Sequence, residues 1–502
     1  MPLLTALSNW KPFTALVVGD FMLDQQVYGD AERLSADAPV PILHVRRRTD
    51  NPGGAANVCL DLVALKASVE AFGITGDDAT GALLRESLES QGVSSAGLIA
   101  DPDRPTTVKQ NLIGLAQARH PQKMFRVDYE SREPISSAIT DRLLTAFRAA
   151  LSRADVVCIE DYNKGVCTEA VCQGVIRAAQ IAGKPVFVDP ARIPDYAKYR
   201  GATVLTPNRT EAEFATGLRT HDGDPSDAGG GHNARLAHSL LQHADLDAVV
   251  LTLDRHGALL VERGRQPVAL PTIARQVYDV TGAGDMFLAA LAAARANNLS
   301  WPDSVRLANA AAGLEVEIFG IQPIPLERLH HAVLEQSTKT SGKLRTLDQL
   351  QIEVKARRAQ GQKVVFTNGC FDILHPGHIT LLERAALEGR GESGEGFLIV
   401  AINTDDSVRR LKGDGRPINT ESDRARVLGA LGCVGAVTFF NDETPIKLIE
   451  AIKPDVLVKG ADYRKDQVVG GDYVEKHGGR VVLIELVEGK STTGTIARMR
   501  RP

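Results

Sequence analysis

A glycine-rich turn stands before an alanine-rich stretch in DVTGAGDMFLAALAAARANN, which spans 279–298. Gly282, Ala283 and Gly284 are small enough to bring successive backbone N–H groups close to a phosphate at the start of a helix. Asp285 would lie in the first helical turn, where the positive end of the helix dipole keeps a carboxylate ionised. Such a carboxylate suits a general base that takes a proton from a hydroxyl attacking a phosphoryl group. A plain strand-to-helix turn with an N-capping aspartate is the alternative.

Polar side chains in two other segments could bind the molecule that carries the attacking hydroxyl. Asp20 and Asp24 in GDFMLDQQVYGD come directly after the first predicted strand, where short acidic side chains can bind sugar hydroxyls. NPGGAANVCLDLVAL contains a second glycine turn before a helical pattern, with Asn57 three residues after Gly54. These two segments strengthen the interpretation as a phosphoryl-transfer site.

The segment TPNRTEAE suits the nucleotide side of such a site. It follows a predicted strand end and places Asn208 and Glu211 in N-x-x-E spacing. One turn of helix puts two such side chains on one face, from which they can hold magnesium through water near the phosphates. The pattern therefore predicts a Mg²⁺ ion that Glu211 holds through water.

Two histidines in TNGCFDILHPGHITLL, His375 and His378, flank a Pro-Gly pair after a predicted buried strand. A zinc site would need three or four ligands at fixed spacing, and this segment adds only Cys370 and Asp372. Thiolate catalysis is disfavoured because Cys370 lies at the end of an apolar strand. Two solvent-facing histidines are the plain alternative, but a helix that starts at Gly377 would place both imidazoles at the carboxyl edge of a parallel sheet. There they can bind a polyphosphate whose charge rises during reaction.

The elements that must position these residues alternate between apolar strand patterns and helical patterns along most of the 502 residues. TALVVGD, DVVCIED, PVFVDP, ATVLTPN and DAVVLTLD are near-continuous apolar runs, typical of strands covered on both faces. PVPILHVRR and TTVKQNLIGL alternate instead, which predicts a smaller, half-exposed sheet. A second series comprises KVVFTNGC, FLIVAINTD, AVTFF, VLVKG and RVVLIEL. We therefore predict an α/β fold with a domain at 1–330, a linker at 331–350 and an unlike domain at 351–502.

The composition excludes several functional classes. An apolar fraction of 43%, a charged fraction of 24% and a net charge of −4 describe a globular chain without the basic surface that nucleic acids or anionic membranes attract. The sequence has no apolar run of the roughly 20 residues that a membrane span needs. Its start lacks a basic region followed by a small-residue cleavage site, so we expect that it is not a secretory signal. The six cysteines are dispersed without a C-x-x-C pair, which indicates reduced, buried side chains. We expect a cytoplasmic protein.

Together, DVTGAGDMF, the glycine turn before Asn57 and the N-x-x-E segment resemble the ribokinase-like sugar kinase family over about residues 10–325. The resemblance implies a three-layer domain with a small β lid, ATP and Mg²⁺ as requirements, and Asp285 as the catalytic base. The implied ATP-binding residues are Asn208, Arg209, Thr210, Glu211, Gly257, Gly282, Ala283, Gly284 and Asn309. The implied sugar-binding residues are Asp20, Asp24, Gly53, Gly54 and Asn57.

The segment around the histidines resembles the H-x-G-H motif of nucleotidyltransferases, over about residues 345–502, and the hydroxyl-rich turn STTGTI supports the resemblance. It implies a Rossmann-like domain in which His375 and His378 act on the nucleotide phosphates without a covalent intermediate. The implied nucleotide-binding residues are Asn368, Gly369, Phe371, His375, His378, Lys412, Arg416, Gly460, Asp462, Ser491, Thr492 and Thr493. Arg424 is a further candidate cation for the phosphates.

A sugar kinase followed by a nucleotidyltransferase resembles the bacterial bifunctional proteins of ADP-heptose synthesis. The resemblance implies phosphorylation of D-glycero-β-D-manno-heptose 7-phosphate at O1 and, once another enzyme has removed the 7-phosphate, adenylyl transfer from ATP to heptose 1-phosphate. It also implies a role in lipopolysaccharide core synthesis and a homodimer. The alternatives are another sugar phosphate or CTP, and a nucleotide-sensing regulator with a degenerate site. The presence of Asp285 and both histidines disfavours the regulator.

Basic residues in TTVKQNLIGLAQARHPQKMFRVDYE suit a phosphorylated sugar. Lys109, Arg119, Lys123 and Arg126 lie on or beside two half-exposed strands, which form a lid over the sugar in the kinase family. We predict that Lys109 and Arg126 bind the 7-phosphate. Ordinary charges on a solvated edge strand are the alternative.

Overall fold

The computed structural model describes residues 3, 7, 9–115, 122–220, 231–272, 279–318, 320, 322–341, 343–359, 361–391, 394, 396–413, 415–461 and 464–485. The chain divides into two compact units, Trp10–Leu329 and Met1–Asn9 with His330–Pro502. Helices Leu326–Ser341 and Leu347–Ala359 occupy most of the segment that the sequence pattern suggested as a linker. Most of the polar, glycine-rich segment HDGDPSDAGGGHN lies outside the described residues.

The unit Trp10–Leu329 alternates strands and helices as the apolar runs predicted. Its described strands are β1 (Phe13–Gly19), β2 (Phe21–Leu34), β3 (Pro41–Gly54), β4 (Ala67–Gly76), β5 (Val93–Asp101), β6 (Thr107–Leu115), β7 (Gln122–Tyr129), β8 (Val156–Glu160), β9 (Val186–Asp189), β10 (Val204–Leu205), β11 (Ala248–Thr252), β12 (Ala258–Glu262) and β13 (Val268–Leu270). Its described helices are α1 (Ala55–Ala64), α2 (Ala79–Ser90), α3 (Ser137–Ala150), α4 (Glu169–Ile181), α5 (Arg209–Thr216), α6 (His232–His243), α7 (Ala283–Ala296) and α8 (Trp301–Glu315), and α9 (Leu326–Ser341) begins in it.

A nine-stranded sheet forms the centre of this unit, in the order β13-β12-β11-β10-β9-β8-β1-β4-β5. The strands from β11 to β5 pair in parallel, whereas β12 and β13 pair antiparallel at one edge. The apolar runs are buried because the sheet is covered on both faces. Parallel strands share one carboxyl edge, so Asp20 after β1, Asp161 after β8 and Asp189 at the end of β9 come together there.

Four strands form a separate small sheet in the order β3-β2-β6-β7, which confirms the predicted lid. Asp24 pairs with Asn51 on β3 and with Lys109 on β6, and Lys109 pairs with Asp128 on β7. Paired residues, and residues two apart on one strand, share a face, so Arg126 lies on the same face as these four. Asp24 is thus inside strand β2, a strand that the sequence pattern did not predict directly after β1.

The second unit contains one parallel sheet in the order β16-β15-β14-β17-β18. Its described strands are β14 (Val364–Gly369), β15 (Phe397–Asn403), β16 (Ala436–Phe440), β17 (Val456–Gly460) and β18 (Arg480–Ile484). Its described helices are α10 (Leu347–Ala359), α11 (Pro376–Glu388), α12 (Asp405–Lys412), α13 (Glu421–Gly429), α14 (Ile446–Ile452) and α15 (Gly471–Lys476). All five strands match predicted apolar runs, which confirms a Rossmann-like arrangement. In the described part of the chain, every helix is too short or too polar to cross a membrane.

Two candidate active sites

The glycine turn before α7 adopts a conformation that favours glycine. Gly282 is the N-cap residue with φ 88°, and an added Cβ would lie 2.5 Å from Glu315 Oε1. Helix α7 therefore begins at Ala283 directly beneath a narrow turn, and Asp285 falls in its first turn with 3% of its surface exposed. This is the arrangement that the sequence predicted for an anion hole and a base, and the two roles themselves stay predictions.

Two side chains hold the carboxylate of Asp285. Asn57 Nδ2 on α1 donates to Oδ2 over 2.8 Å, and the Tyr162 hydroxyl donates to Oδ1 over 2.9 Å. Burial raises the pKa of Asp285 to about 6, although both hydrogen bonds lower it. The structure brings the predicted residues Asn57 and Asp285 together and adds Tyr162, which the sequence patterns did not single out.

Three carboxylates meet beside the turn. Glu160 at the end of β8, Asp189 at the end of β9 and Asp285 have oxygens within 4.8 Å of one another. Glu160 Oε2 has no hydrogen-bond partner among the described residues. Burial, and then the neighbouring carboxylates, raise the pKa of both Glu160 and Asp189. Glu160 and Asp189 could have been found from their positions at the ends of two predicted strands.

The side chains of the N-x-x-E residues make hydrogen bonds to each other's backbone N–H groups, and the two side chains do not lie on one helix face. Asn208 is the N-cap of α5 and its Oδ1 accepts the Glu211 backbone N–H over 3.0 Å, while Glu211 Oε2 accepts the Asn208 N–H over 2.8 Å. This reciprocal pair is a capping box. The helix-face argument for Asn208 is therefore wrong, because Asn208 precedes the helix. Glu211 still acts electrostatically on Asp189, whose pKa burial and then the Glu211 charge raise.

Asp20 braces the segment that carries Tyr162. Its carboxylate accepts backbone N–H groups from Tyr162 at 2.8 Å, Lys164 at 3.0 Å and Val166 at 3.3 Å. Burial and then the charge of Asp161 raise the pKa of Asp20 to about 6, despite these hydrogen bonds. Binding of a sugar hydroxyl by Asp20 stays a prediction, and the structure gives this carboxylate a bracing contact that the sequence did not indicate.

The other predicted sugar-binding residues lie around Asp24. Gly53 has room only for hydrogen, since an added Cβ would lie 2.3 Å from Asp24 Oδ2. Gly54 has φ 58° and is the N-cap residue of α1, which carries Asn57. The close approach of β3 to Asp24 thus depends on the glycine pair, and it brings the lid to the residues that hold Asp285.

Three cations of the lid act electrostatically on Asp24. Burial raises the pKa of Asp24, and the charges of Lys109, Arg126 and Lys123 lower it. Lys109 Nζ lies 4.2 Å from the centre of the Tyr162 ring, and Lys123 Nζ lies 3.2 Å from Asp279 Oδ2. Arg126 pairs with Asp128 at 2.9 Å on the exposed part of the lid. The lid therefore concentrates positive charge over the predicted sugar site.

Several residues predicted for ATP have structural contacts in this unit. Asn309 Nδ2 donates to the Leu270 carbonyl over 2.9 Å, and a Cβ added to Gly257 at φ 89° would lie 2.2 Å from the same oxygen. Arg209 Nε lies 3.5 Å from Asp254 Oδ2, and the Thr210 hydroxyl donates to Asn208 Oδ1 over 2.9 Å. These contacts account for the residue types at all four positions, and their roles toward ATP stay predictions.

The two histidines stack at the carboxyl end of β14. His375 is the N-cap residue of α11, and its ring lies 3.8 Å from the His378 ring with an angle of 21° between the planes. Burial, and then the charges of His375 and Lys412, lower the pKa of His378 to about 4. His378 is therefore neutral at pH 7, and its ring also makes a hydrogen bond with the Ile373 backbone.

Phe371 packs against the ring of His378. It has φ 48°, which is rare for a bulky residue, and its ring centre lies 5.2 Å from that of His378. A Cβ on Gly369 would lie 3.1 Å from the Phe371 ring. The Asn368 carbonyl accepts a hydrogen bond from Lys459 Nζ on β17 over 3.0 Å. Lys459 is a cation at this edge that the sequence patterns did not single out.

Arg416 and Arg424 differ in what they can bind. Arg416 pairs with Asp372, and its Nη2 is buried without a hydrogen-bond partner among the described residues. Arg424 is 2% exposed and donates to oxygens of four residues, which are Asn419, Cys370, Asn403 and Asp405. The prediction that Arg424 binds phosphate is therefore wrong, because its guanidinium joins the loops after β14 and β15.

The remaining predicted nucleotide-binding residues divide into described and undescribed positions. Lys412 ends α12 and is exposed, and Gly460 ends β17. Asp462, Ser491, Thr492 and Thr493 lie outside the described residues. The described part of the site thus supplies the histidine stack, a buried guanidinium edge and Lys459 at one end of a parallel sheet.

Known proteins resemble the chain in both parts. The pfkB family carbohydrate kinase model matches residues 14–327, and the Cytidylyltransferase-like model matches residues 366–488. The Bifunctional protein HldE of Caulobacter vibrioides is 44% identical over 489 residues, 97% of this chain and 96% of the relative. The Bifunctional protein HldE of Geobacter sulfurreducens is 42% identical over 485 residues, 97% of this chain and 95% of the relative.

Two solved structures share the fold of the first unit. Phosphofructokinase-2 from Escherichia coli in complex with potassium is 20% identical with a TM-score of 0.53, and covers 65% of this chain and 99% of its own. Arabidopsis thaliana ribokinase complexed with ribose and ATP is 22% identical with a TM-score of 0.50, and covers 64% of this chain and 99% of its own. At these identities the likeness shows the fold alone.

Proposed function

The chain belongs to the family of the bifunctional HldE proteins, and from that premise we propose how its two sites divide one synthesis. The first part phosphorylates D-glycero-β-D-manno-heptose 7-phosphate at O1 with ATP, giving the 1,7-bisphosphate. The second part transfers the adenylyl group of ATP to D-glycero-β-D-manno-heptose 1-phosphate, giving ADP-heptose and pyrophosphate. The observation that carries the kinase is the buried Asp285 in the first turn after a glycine at φ 88°. The relatives lend no support to the alternative of another sugar phosphate or CTP.

In the kinase reaction, Asp285 accepts the proton of the O1 hydroxyl as this oxygen attacks the γ-phosphorus. The N–H groups of Gly282, Ala283 and Gly284 face the charge that develops on the transferring group. Asn57 holds one oxygen of the base at 2.8 Å. Asp24 lies next to the glycine pair at the lid and binds sugar hydroxyls, and positioning of the two reactants supplies much of the rate.

A Mg²⁺ ion fits the acidic group at the end of β8 and β9. Glu160 and Asp189 would hold it, with Glu211 beside them through water, because Glu160 Oε2 is buried without a partner among the described residues. An ion held by these residues would neutralise charge on the ATP phosphates. Burial, and then the neighbouring carboxylates, raise the pKa of Glu160 and Asp189, and a bound cation would relieve the repulsion between them.

In the adenylyl transfer, the 1-phosphate oxygen attacks the α-phosphorus and pyrophosphate leaves, so no enzyme nucleophile is needed. His375 and the neutral His378 bind the phosphates from the start of α11. Arg416 Nη2 and Lys412 add positive charge for the leaving pyrophosphate. The stack holds the two rings in a fixed relation, with their centres 3.8 Å apart, which supports joint rather than independent roles.

Lys109 and Arg126 bind the 7-phosphate in this proposal. Both lower the pKa of Asp24, which burial raises, so their charges act on the sugar site. Arg126→Ala is expected to raise KM for heptose 7-phosphate at least tenfold with little change in kcat. Arg46→Ala is a matched control, because Arg46 also pairs with an aspartate on an exposed lid strand, Asp30, at 2.7 Å. An unchanged KM in Arg126→Ala would contradict the assignment.

The cellular setting is also part of the proposal. Both reactions use nucleotides, which supports a cytoplasmic location, and ADP-heptose as the product supports a role in lipopolysaccharide core synthesis.

A homodimer through the lid is supported by Phe125 and Tyr129, which are 68% and 53% exposed on the lid face opposite Arg126. Light scattering should give the mass of a dimer for the wild type. For Phe125→Ser it should give a lower mass at the same concentration, because a larger fraction of the protein is monomeric.

Product analysis tests the two activities together. With ATP, Mg²⁺ and heptose 7-phosphate, the protein should form a bisphosphate that mass spectrometry detects. When a phosphatase that removes the 7-phosphate is added, ADP-heptose should appear. CTP in place of ATP in the second step should give no nucleotide sugar. A bisphosphate that forms equally well from unrelated sugar phosphates would contradict the substrate assignment.

A further inference from the structure

Tyr162 lies two residues after strand β8, at a position to which the sequence patterns assigned no role. Its hydroxyl donates to Asp285 Oδ1 over 2.9 Å, and Asn57 donates to Oδ2 over 2.8 Å. We propose that Tyr162 is a positioning residue of the kinase reaction, which fixes the carboxylate of Asp285 in the orientation that receives the proton of the attacking hydroxyl. This inference rests on the kinase function proposed above.

Two donors restrain a carboxylate where one does not. The terminal torsion of an aspartate is soft and broad, so a single hydrogen bond leaves the second oxygen free to swing. In this site each oxygen has its own donor on a different element, Asn57 on α1 and Tyr162 after β8. Each oxygen keeps a further lone pair, which is the one the O1 hydroxyl must reach.

The tyrosine itself is held on its backbone and on its ring. Asp20 accepts the Tyr162 N–H over 2.8 Å. Further along this segment, Gly165 has φ 88°, and a Cβ there would lie 2.0 Å from the Glu133 carbonyl. Lys109 on lid strand β6 places Nζ 4.2 Å from the ring centre, within the range of a cation–π contact. The phenol is thus fixed by the kinase sheet edge and by the lid at once.

The role leaves the chemistry of the step unchanged and balanced. The bond from O1 to the γ-phosphorus forms, and the bond from that phosphorus to the bridging oxygen of ADP breaks. The O1 proton passes to Asp285. Tyr162 keeps its own proton and remains a donor, so its contribution is orientation alone.

Tyr162→Phe tests the proposal because it removes only the hydroxyl. A hydrogen bond to a charged group typically contributes enough to change a rate about 10- to 100-fold. We expect kcat of the kinase to fall by that factor, with KM for ATP and for heptose 7-phosphate within about twofold of wild type. Tyr196→Phe is the matched control, since Tyr196 is 1% exposed and its hydroxyl has no partner among the described residues. Tyr196→Phe should keep wild-type kcat.

Asp20→Asn is a second, independent variant that disturbs the position of Tyr162 without touching the phenol. If Asp20 acts by bracing, kcat falls and KM for the sugar stays; a sugar contact would raise KM instead. Adenylyl transfer and thermal melting of each preparation report folding, and if Tyr162→Phe does not fold, the Asp20→Asn result decides. If the wild type turns over and Tyr162→Phe keeps the wild-type kcat, the role of Tyr162 is overturned while the proposed kinase function stands. An absence of wild-type turnover would overturn the proposed kinase function and this role with it.

Discussion

Replacement of Gly282 by alanine asks how strongly the catalytic turn depends on a residue without a side chain. At φ 88° a non-glycine residue costs about 1–2 kcal/mol. The added Cβ would also lie 2.5 Å from Glu315 Oε1 and 3.3 Å from Asn57 Nδ2. Glu315 is 1% exposed and cannot swing into solvent, so the turn or Asn57 must shift. Because Asn57 holds Asp285 at 2.8 Å, either shift misplaces the base or the N–H groups. A misplacement of about 1 Å costs on the order of 100-fold in rate.

We therefore expect Gly282→Ala to lower kcat of the kinase about 100-fold, measured as ADP release at saturating ATP and sugar phosphate. Gly264→Ala separates the two causes, since Gly264 has φ 73° but nothing within 4 Å of its added Cβ. It carries the backbone strain without the clash, so it should melt slightly earlier and keep wild-type kcat. Wild-type kcat in a folded Gly282→Ala would refute the reasoning, because the turn would then tolerate the methyl group.

Three further predictions concern the two sites. Asp285 works as a base only when ionised and burial raises its pKa to about 6, so kcat/KM of the kinase should fall about tenfold per unit below pH 6 and level off above it; a limb near pH 4 in rates measured from pH 3.5 to 8 would contradict this. Burial lowers the pKa of His378 to about 4, so the kcat of adenylyl transfer should show no titration of His378 between pH 6 and 8, and His378→Ala should lower it about 100-fold while the kinase rate stays. Arg424→Met breaks a buried network and should lower the free energy of unfolding by about 3–5 kcal/mol, whereas Arg416→Met should mainly raise KM for ATP; equal losses in urea unfolding would contradict the division.

Local patterns predicted the elements well because they depend on neighbours along the chain. The apolar runs that became β1, β8 and β14 read as buried strands since both faces of a parallel sheet are covered. The alternating runs of β3 and β6 predicted a half-exposed sheet, because only one face of such a sheet is covered and every second residue faces solvent. The glycine before Asp285 and the proline after His375 mark helix starts by their own backbone preferences.

Contacts between distant segments escaped the patterns. Asp20 and Asp24 look alike in sequence, yet the first accepts three backbone N–H groups and the second lies on a lid strand opposite Lys109. Arg424 and Arg416 lie in the same basic segment of the sequence, yet the guanidinium of Arg424 donates its hydrogen bonds to oxygens of the loops. The sequence could not separate such pairs, because burial and partners are set by residues far along the chain.

The sequence by itself determined the order of strands and helices, the two glycine turns and the positions of the base and the histidines, since backbone preference and hydrophobic periodicity are local. Only the tertiary structure decided which polar side chains contact one another. Tyr162 reaches Asp285 across 123 positions because β8 ends and α7 begins at one sheet edge. Hydrogen bonds act over about 3 Å of space whatever the separation along the chain, so their partners are fixed when the sheet assembles.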